Sequence, residues 1–346
     1  MIRSILILYT IFTLAFPVKG MQIEAPPVPE SGRLLMPRET DSFSEGLQEL
    51  TENIMSILRP DLAQAVKTGA AVFSLSLILA VLSQLFSKDS FSLNIAGAAG
   101  VAILLLNQSG VLIRLAEETL QELNDYGKLF FPVMGTALAA QGGVQSSAVM
   151  YSATMILNTV LSQLLLKVMV PTVYCYLSIS VAEAAFPEKA MKILCDGIKN
   201  GISWCLKTIL TAYTTYISIC GIVSGKADAA ALKATKVTFS SFVPILGGIL
   251  SDASEAVLLS AELLKSTAGI YGIFVFLSIF IGPFVKIAGH YLVLKATAFL
   301  CTLAGPERIS CLIDRFTGAM GILLAMTGAF CLMILLSTIC FLKGIS

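Results

Sequence analysis

The chain has 346 residues, of which 56% are hydrophobic and 13% are charged, and its formal net charge is +1. Soluble domains carry about 25% charged residues, so the composition excludes an ordinary soluble protein. The small net charge offers no basic field for nucleic acid. Eight Cys form no CxxC pair, and a single His leaves no Cys/His set for a metal. The composition predicts an all-α, polytopic integral membrane protein.

The first 20 residues have the pattern of a signal peptide. Arg3 precedes an apolar core, Ile5–Phe16, and Val18-Lys19-Gly20 resembles a small-residue cleavage site. The core is shorter than the roughly 20 residues that span a bilayer. An uncleaved anchor is the alternative, and in either case the next segment lies outside the cytoplasm.

Two short regions follow the signal. Residues 21–41 contain four prolines, which predicts an extended extracytoplasmic linker. Residues 42–66 begin with a capping box, Ser42-Phe43-Ser44-Glu45. An apolar stripe with spacings of four and three then predicts an amphipathic helical region. This helix lies either on the membrane or a partner, or against the membrane domain of its own chain.

Residues 67–346 predict a multi-span membrane domain of about seven or eight segments, some broken or re-entrant. Prolines interrupt the expected helices: Arg59-Pro60-Asp61 ends one helix and starts another, and Gly282-Pro283 ends the run Ala268–Val285. Leu129–Ala140 contains Pro132 and is a re-entrant candidate. The apolar runs on either side of Pro171 form two spans or one kinked helix. These segments are drawn from ten apolar runs: Gly69–Phe86, Leu93–Ile113, Leu129–Ala140, Ala148–Val170, Thr172–Phe186, Ile202–Val223, Phe239–Leu250, Ala268–Val285, Ala288–Leu303 and Thr317–Phe341.

Ionisable residues inside apolar runs are costly and are therefore candidates for function. The candidate intramembrane polar residues are Glu183, Lys286 and His290. Lys286 and His290 are four residues apart and share a helix face, which could form a proton or ion site. The alternative is that all three are interfacial or structural groups.

The sequence contains no recognisable catalytic or nucleotide-binding pattern. The single His has no nucleophile motif around it, and no GxxxxGK[ST] phosphate loop is present. We therefore expect a non-enzymatic protein without a cofactor.

The most distinctive stretch runs from residue 241 to residue 255. Pro244 and Gly247-Gly248 interrupt a helix, and Ser251 and Asp252 can cap a new one, with Glu255 in its first turn. The functional interpretation is a broken helix that lines a gate or contacts a subunit. The alternative is an interfacial helix with a solvated face.

This stretch resembles the stage III sporulation protein AE family of endospore-forming bacteria. The resemblance rests on Thr238–Ala253 and Ser266–Gly272, and the layout of signal, short external region and multi-span domain also matches. It implies a subunit of a sporulation channel complex, similar to a secretion apparatus, in the mother-cell membrane around the forespore.

Two hypotheses follow from these observations. The first is a non-enzymatic subunit that forms or lines the export gate. Its partners would be the other membrane proteins of the complex, in a homo- or hetero-oligomer surrounded by membrane lipid, without nucleic acid. The second is an autonomous secondary transporter or permease, which would need coupled ion and substrate sites.

Overall fold

The computed structural model describes residues 26–37, 43–85, 90–140, 144–186, 188–223 and 267–345. Every regular element in these ranges is helical, which confirms the all-α class. The elements are α1 (Glu30–Arg33), α2 (Phe43–Leu85), α3 (Ser90–Ala140), α4 (Val144–Leu164), a π-helical turn (Leu165–Met169), α5 (Val170–Ala185), α6 (Lys189–Val223), α7 (Thr267–Ala304) and α8 (Glu307–Ile345).

Five helices in the described ranges are long and apolar enough to cross a membrane. Several are much longer than a single crossing needs. For example, α3 has 51 residues, about 77 Å at 1.5 Å per residue, against a hydrocarbon thickness of about 30 Å. The candidate spans are Gly46–Leu85, Ile95–Thr136, Ser152–Ala185, Tyr271–Leu303 and Glu307–Phe341.

Proline accounts for much of the difference from the predicted seven or eight segments. Pro60, Pro132 and Pro283 all lie inside continuous helices, although the sequence suggested an interruption at each. Neighbouring helices and local adjustments can compensate for the hydrogen bond that a proline removes. Apolar runs that the sequence separates are therefore joined, as in α3 and α7.

Pro171 has a visible effect on its helix. The turn that precedes it, Leu165–Met169, is π-helical, and α5 resumes at Val170. Proline has no N–H for the carbonyl four residues earlier, and its ring collides with that carbonyl. A wider turn relieves both problems. Of the two predicted arrangements, the structure has one long helix with a local distortion, because Ser152–Ala185 is a single candidate span.

The amphipathic region packs on its own membrane domain. Leu50 is fully buried, and Leu47 and Ile54 are partly buried against the same core. The helix then continues without a break to Leu85. The linker is also partly packed: Leu35 is 2% exposed, and a Cβ atom at Gly282 of α7 would lie 3.1 Å from its Cδ1. Residues 28–36 therefore lie against the bundle.

Helix α7 is the centre of the packing. Every residue from Gly272 to Ile281 is buried, as expected for a helix that is apolar on all sides. An aromatic cluster encloses this half of α7: the Phe276 ring lies 4.9 Å from that of Tyr126 and 5.6 Å from that of Phe130, in edge-to-face contacts. This cluster ties α7 to α3.

Gly272 provides a test of this close packing. A Cβ atom there would lie 2.1 Å from Phe130 Cζ, so Gly272→Ala must displace a ring inside the aromatic cluster. We expect it to lower the free energy of unfolding by about 1–3 kcal/mol, measured by denaturant unfolding in mixed micelles. A Cβ atom at Gly197 of α6 would meet nothing within 4 Å, so Gly197→Ala should be neutral or slightly stabilising. Equal losses for the two variants would contradict the packing.

Candidate functional site

The predicted gate or subunit-contact motif lies outside the described residues. Its members are Pro244, Gly247, Gly248, Ser251, Asp252 and Glu255, all between residues 224 and 266. Their roles stay predictions. The three candidate intramembrane residues, in contrast, all lie within described helices.

Glu183 belongs to a charged cluster at the end of α5. Its two carboxylate oxygens accept hydrogen bonds from Arg315 of α8, 3.0 Å from Nε and 3.1 Å from Nη2. Arg315 Nη1 donates a further bond to Asp196 of α6. The Glu183 and Arg315 side chains are each only 11% exposed, and that of Asp196 is 49% exposed. The cluster therefore joins three helices through one guanidinium group.

The geometry explains why these charges are tolerated. A bidentate pair between a guanidinium and a carboxylate is among the strongest charge-assisted contacts, and buried charges are stable only when paired. Glu183 uses both oxygens in this contact. The arrangement suits a fixed joint between helix ends better than a free proton carrier.

Lys286 and His290 have local partners on and beside α7. Lys286 Nζ lies 3.0 Å from Asp61 Oδ1 of α2. His290 is 5% exposed, and its Nδ1 lies 2.9 Å from the backbone oxygen of Lys286. Because a carbonyl oxygen only accepts, Nδ1 carries the hydrogen in this contact. The two residues are four positions apart on α7, and their side chains contact different groups.

A band of polar contacts crosses the interface between α4, α6 and α8. Thr154 Oγ1 lies 3.1 Å from the hydroxyl of Tyr216. The Tyr213 hydroxyl donates to the carbonyl of Met333 and contacts Ser337 Oγ. One turn from Thr154, Asn158 is 5% exposed, and its amide group has no hydrogen-bond partner among the described residues. These contacts align the three helices at membrane depth.

Sequence reasoning found Glu183 and missed its partners. It did not select Arg315, which lies in the third turn of α8. It also gave no role to Asp196 or Asp61, because their partners are more than 100 residues away in the chain. One signal was available: Arg315 is the last charge before a long uncharged run, which places it at a membrane boundary opposite an acid such as Glu183.

The fold and these sites define a class: a polytopic α-helical membrane protein whose buried charges are paired between helices. The family model described as stage III sporulation protein AE matches residues 33–344. The chain therefore belongs to this family, which confirms the resemblance seen in its sequence.

A curated relative extends the comparison. The chain is 27% identical, over 211 residues, to stage III sporulation protein AE of Bacillus subtilis (strain 168). The aligned part covers 61% of this chain and 53% of that protein, so the match spans about half the length of the relative. No solved structure matches the chain.

Proposed function

We propose that this protein is a non-enzymatic membrane subunit of a sporulation-specific channel or secretion-like complex. Membership of the stage III sporulation protein AE family over residues 33–344 carries this proposal. The protein would act in the mother-cell membrane around the forespore, beside other membrane proteins of the complex. Within it, the helical bundle would form or line the export gate.

The pairing of charges supports a structural part in an assembly. Glu183 is held by Arg315 and Lys286 by Asp61, so both candidate charges stabilise contacts between helices. A solute-coupled transporter needs ionisable groups that change state during its cycle, and paired groups at helix ends suit that task less well. A gate subunit instead needs a stable frame around the segment that opens.

The proposed gate motif can be tested by adding bulk. Gly247→Leu with Gly248→Leu should block sporulation after engulfment while the protein accumulates normally, because side chains at these positions would obstruct the helix break that the sequence predicts. Spore counts, microscopy and immunoblots measure the effect. Gly110→Leu is the matched control, since a Cβ atom there would meet nothing within 4 Å. A normal spore yield from the double variant would contradict the gate.

The partners can be tested separately. Affinity isolation from sporulating cells should recover other membrane proteins together with this chain. Recovery of the chain alone would contradict the complex. Solute movement by the purified chain in liposomes would support the autonomous transporter instead.

A further inference from the structure

Helix α6 runs beside α8 in the same direction and in constant register. Near its start, Asp196 receives a bond from Arg315. A Cβ atom at Gly318 would lie 3.5 Å from Lys199 Nζ. Farther along, the Tyr213 hydroxyl donates to the carbonyl of Met333. In all three contacts the α8 residue is 119 or 120 positions later in the chain, so the two helices stay aligned for about five turns.

This register gives the depth of Lys207. Residues 316–342 of α8 contain no charged residue, and α8 is a candidate membrane span. The constant offset places Lys207 level with residues 326 and 327, close to the middle of that uncharged stretch. Lys207 is 11 positions from Asp196, or about 16 Å along the helix. A lysine side chain reaches about 6 Å, so snorkelling along α6 cannot bring its ammonium group back to the boundary marked by Asp196.

Lys207 lies on a face of α6 that the bundle leaves open. The opposite face is buried, with Cys195, Ile202, Leu206 and Tyr213 in the core. The open face is mixed in character, and Lys207 has no ion pair within the part of the chain that the structure describes. Its exposed members between residues 197 and 215 are Gly197, Asn200, Gly201, Trp204, Lys207, Thr208, Ala212 and Thr215, and Trp204 is 70% exposed.

Lipid is a poor neighbour for Lys207 on this surface. A lysine at the centre of a spanning helix costs at least about 2.5–3.5 kcal/mol in hydrocarbon, and such residues normally face a bundle interior or a water-filled cavity. Other exposed positions follow the usual rule: Ile156 and Val160 of α4 are apolar and are 65% and 56% exposed. The exposed α4 surface is apolar at these positions, whereas the exposed α6 surface carries Lys207, Thr208 and Thr215 beside Trp204.

We propose that the open face of α6, from Gly197 to Thr215, borders water at membrane depth and that Lys207 attracts anionic groups to it. The proposal deepens the proposed function, since this face would be one wall of the passage and neighbouring subunits would complete it. It assigns the passage to α6 and gives it a positive charge at mid-depth.

Thiol labelling in membranes from sporulating cells tests the proposal. Thr208→Cys and Thr215→Cys are introduced into a chain whose eight native Cys are replaced, with Ile156→Cys and Val160→Cys as matched lipid-facing controls. Only a thiolate reacts with methanethiosulfonates, so labelling requires water at the thiol. The α6 positions should react at least about tenfold faster than the controls, after normalisation to labelling in detergent-denatured protein. Equal rates at the two surfaces would overturn the aqueous face.

The charge of Lys207 is tested with two reagents of opposite sign. At Thr208→Cys, the ratio of sulfonatoethyl to trimethylammonioethyl labelling should fall several-fold when Lys207→Gln is added, because one positive charge is lost within a turn of the thiol. An unchanged ratio would overturn the attraction of anions. These rates do not depend on spore formation. Suppose that the strain with Gly247→Leu and Gly248→Leu sporulates normally and that the α6 thiols still react fast. The gate motif would then be refuted, and the aqueous face of α6 would stand.

Discussion

Arg315→Met should lower the free energy of unfolding by about 3–5 kcal/mol, the usual cost of removing one partner from a buried ion pair. Glu183 would then be left with its carboxylate 11% exposed and without the guanidinium group that holds both oxygens. Asp196 is half exposed and can be solvated, so most of the loss comes from Glu183. Equilibrium unfolding in mixed micelles measures the change.

An ion pair between α7 and α8 provides the control for Arg315. Lys295 and Asp314 form an ion pair at 2.8 Å, with side chains 58% and 54% exposed. Exposed pairs contribute about 0–1 kcal/mol, so Lys295→Met should have a small effect. Adding Glu183→Gln to Arg315→Met should recover part of the loss, because the unpaired charge is removed. A loss for Arg315→Met no larger than for Lys295→Met would show that the cluster does not hold the helices together.

Phe276→Ala should also lower the free energy of unfolding by about 3–5 kcal/mol, the range for removing a large aromatic side chain from a core. Phe276 is completely buried and contacts Tyr126, Phe130 and Phe131 of α3. Its loss would leave a cavity between α3 and α7. The same unfolding experiment measures the change.

Phe299 is the matched control for Phe276. It lies on the same helix and is 65% exposed, so Phe299→Ala removes the same side chain without leaving a cavity. We expect its effect to stay within about 0.5 kcal/mol. Similar losses for both variants would indicate that the aromatic cluster is not a packing centre.

The apolar runs of the sequence predicted the helical membrane class, because every backbone polar group at membrane depth must be paired within its own helix. They did not predict where helices end. Proline was treated as an interruption at Pro132 and Pro283, yet both helices continue. Whether a proline breaks a helix depends on neighbours that are distant in the chain, and a linear pattern does not contain them.

The charged cluster is a second case in which the sequence pattern does not reveal a partner that is distant in the chain. Glu183 could be selected because a carboxylate in an apolar run is unusual. Its partner Arg315 lies 132 positions later, and the local pattern around Arg315 is that of a loop boundary. Lys207 also lies in an apolar run, but its position in the sequence is compatible with a lysine that snorkels from near a helix end. Only the register of α6 against α8 places it at mid-depth.

The π-helical turn before Pro171 changes which residues of this long helix lie on the same face. A π turn takes about one residue more than an α turn, so it rotates everything after it by about 100° relative to a straight α-helix. The buried positions Thr154 before the turn and Ser180 after it would be about 80° apart around a straight α-helix, and the extra residue brings them to within about 20° of the same face. A relative with a purely α-helical segment here would need one residue fewer to bring its counterpart of Glu183 to α8. Sequence alignments through this region should therefore open a single-residue gap at residues 165–169. With that gap, Glu183 and Arg315 should both align with their counterparts in the relative.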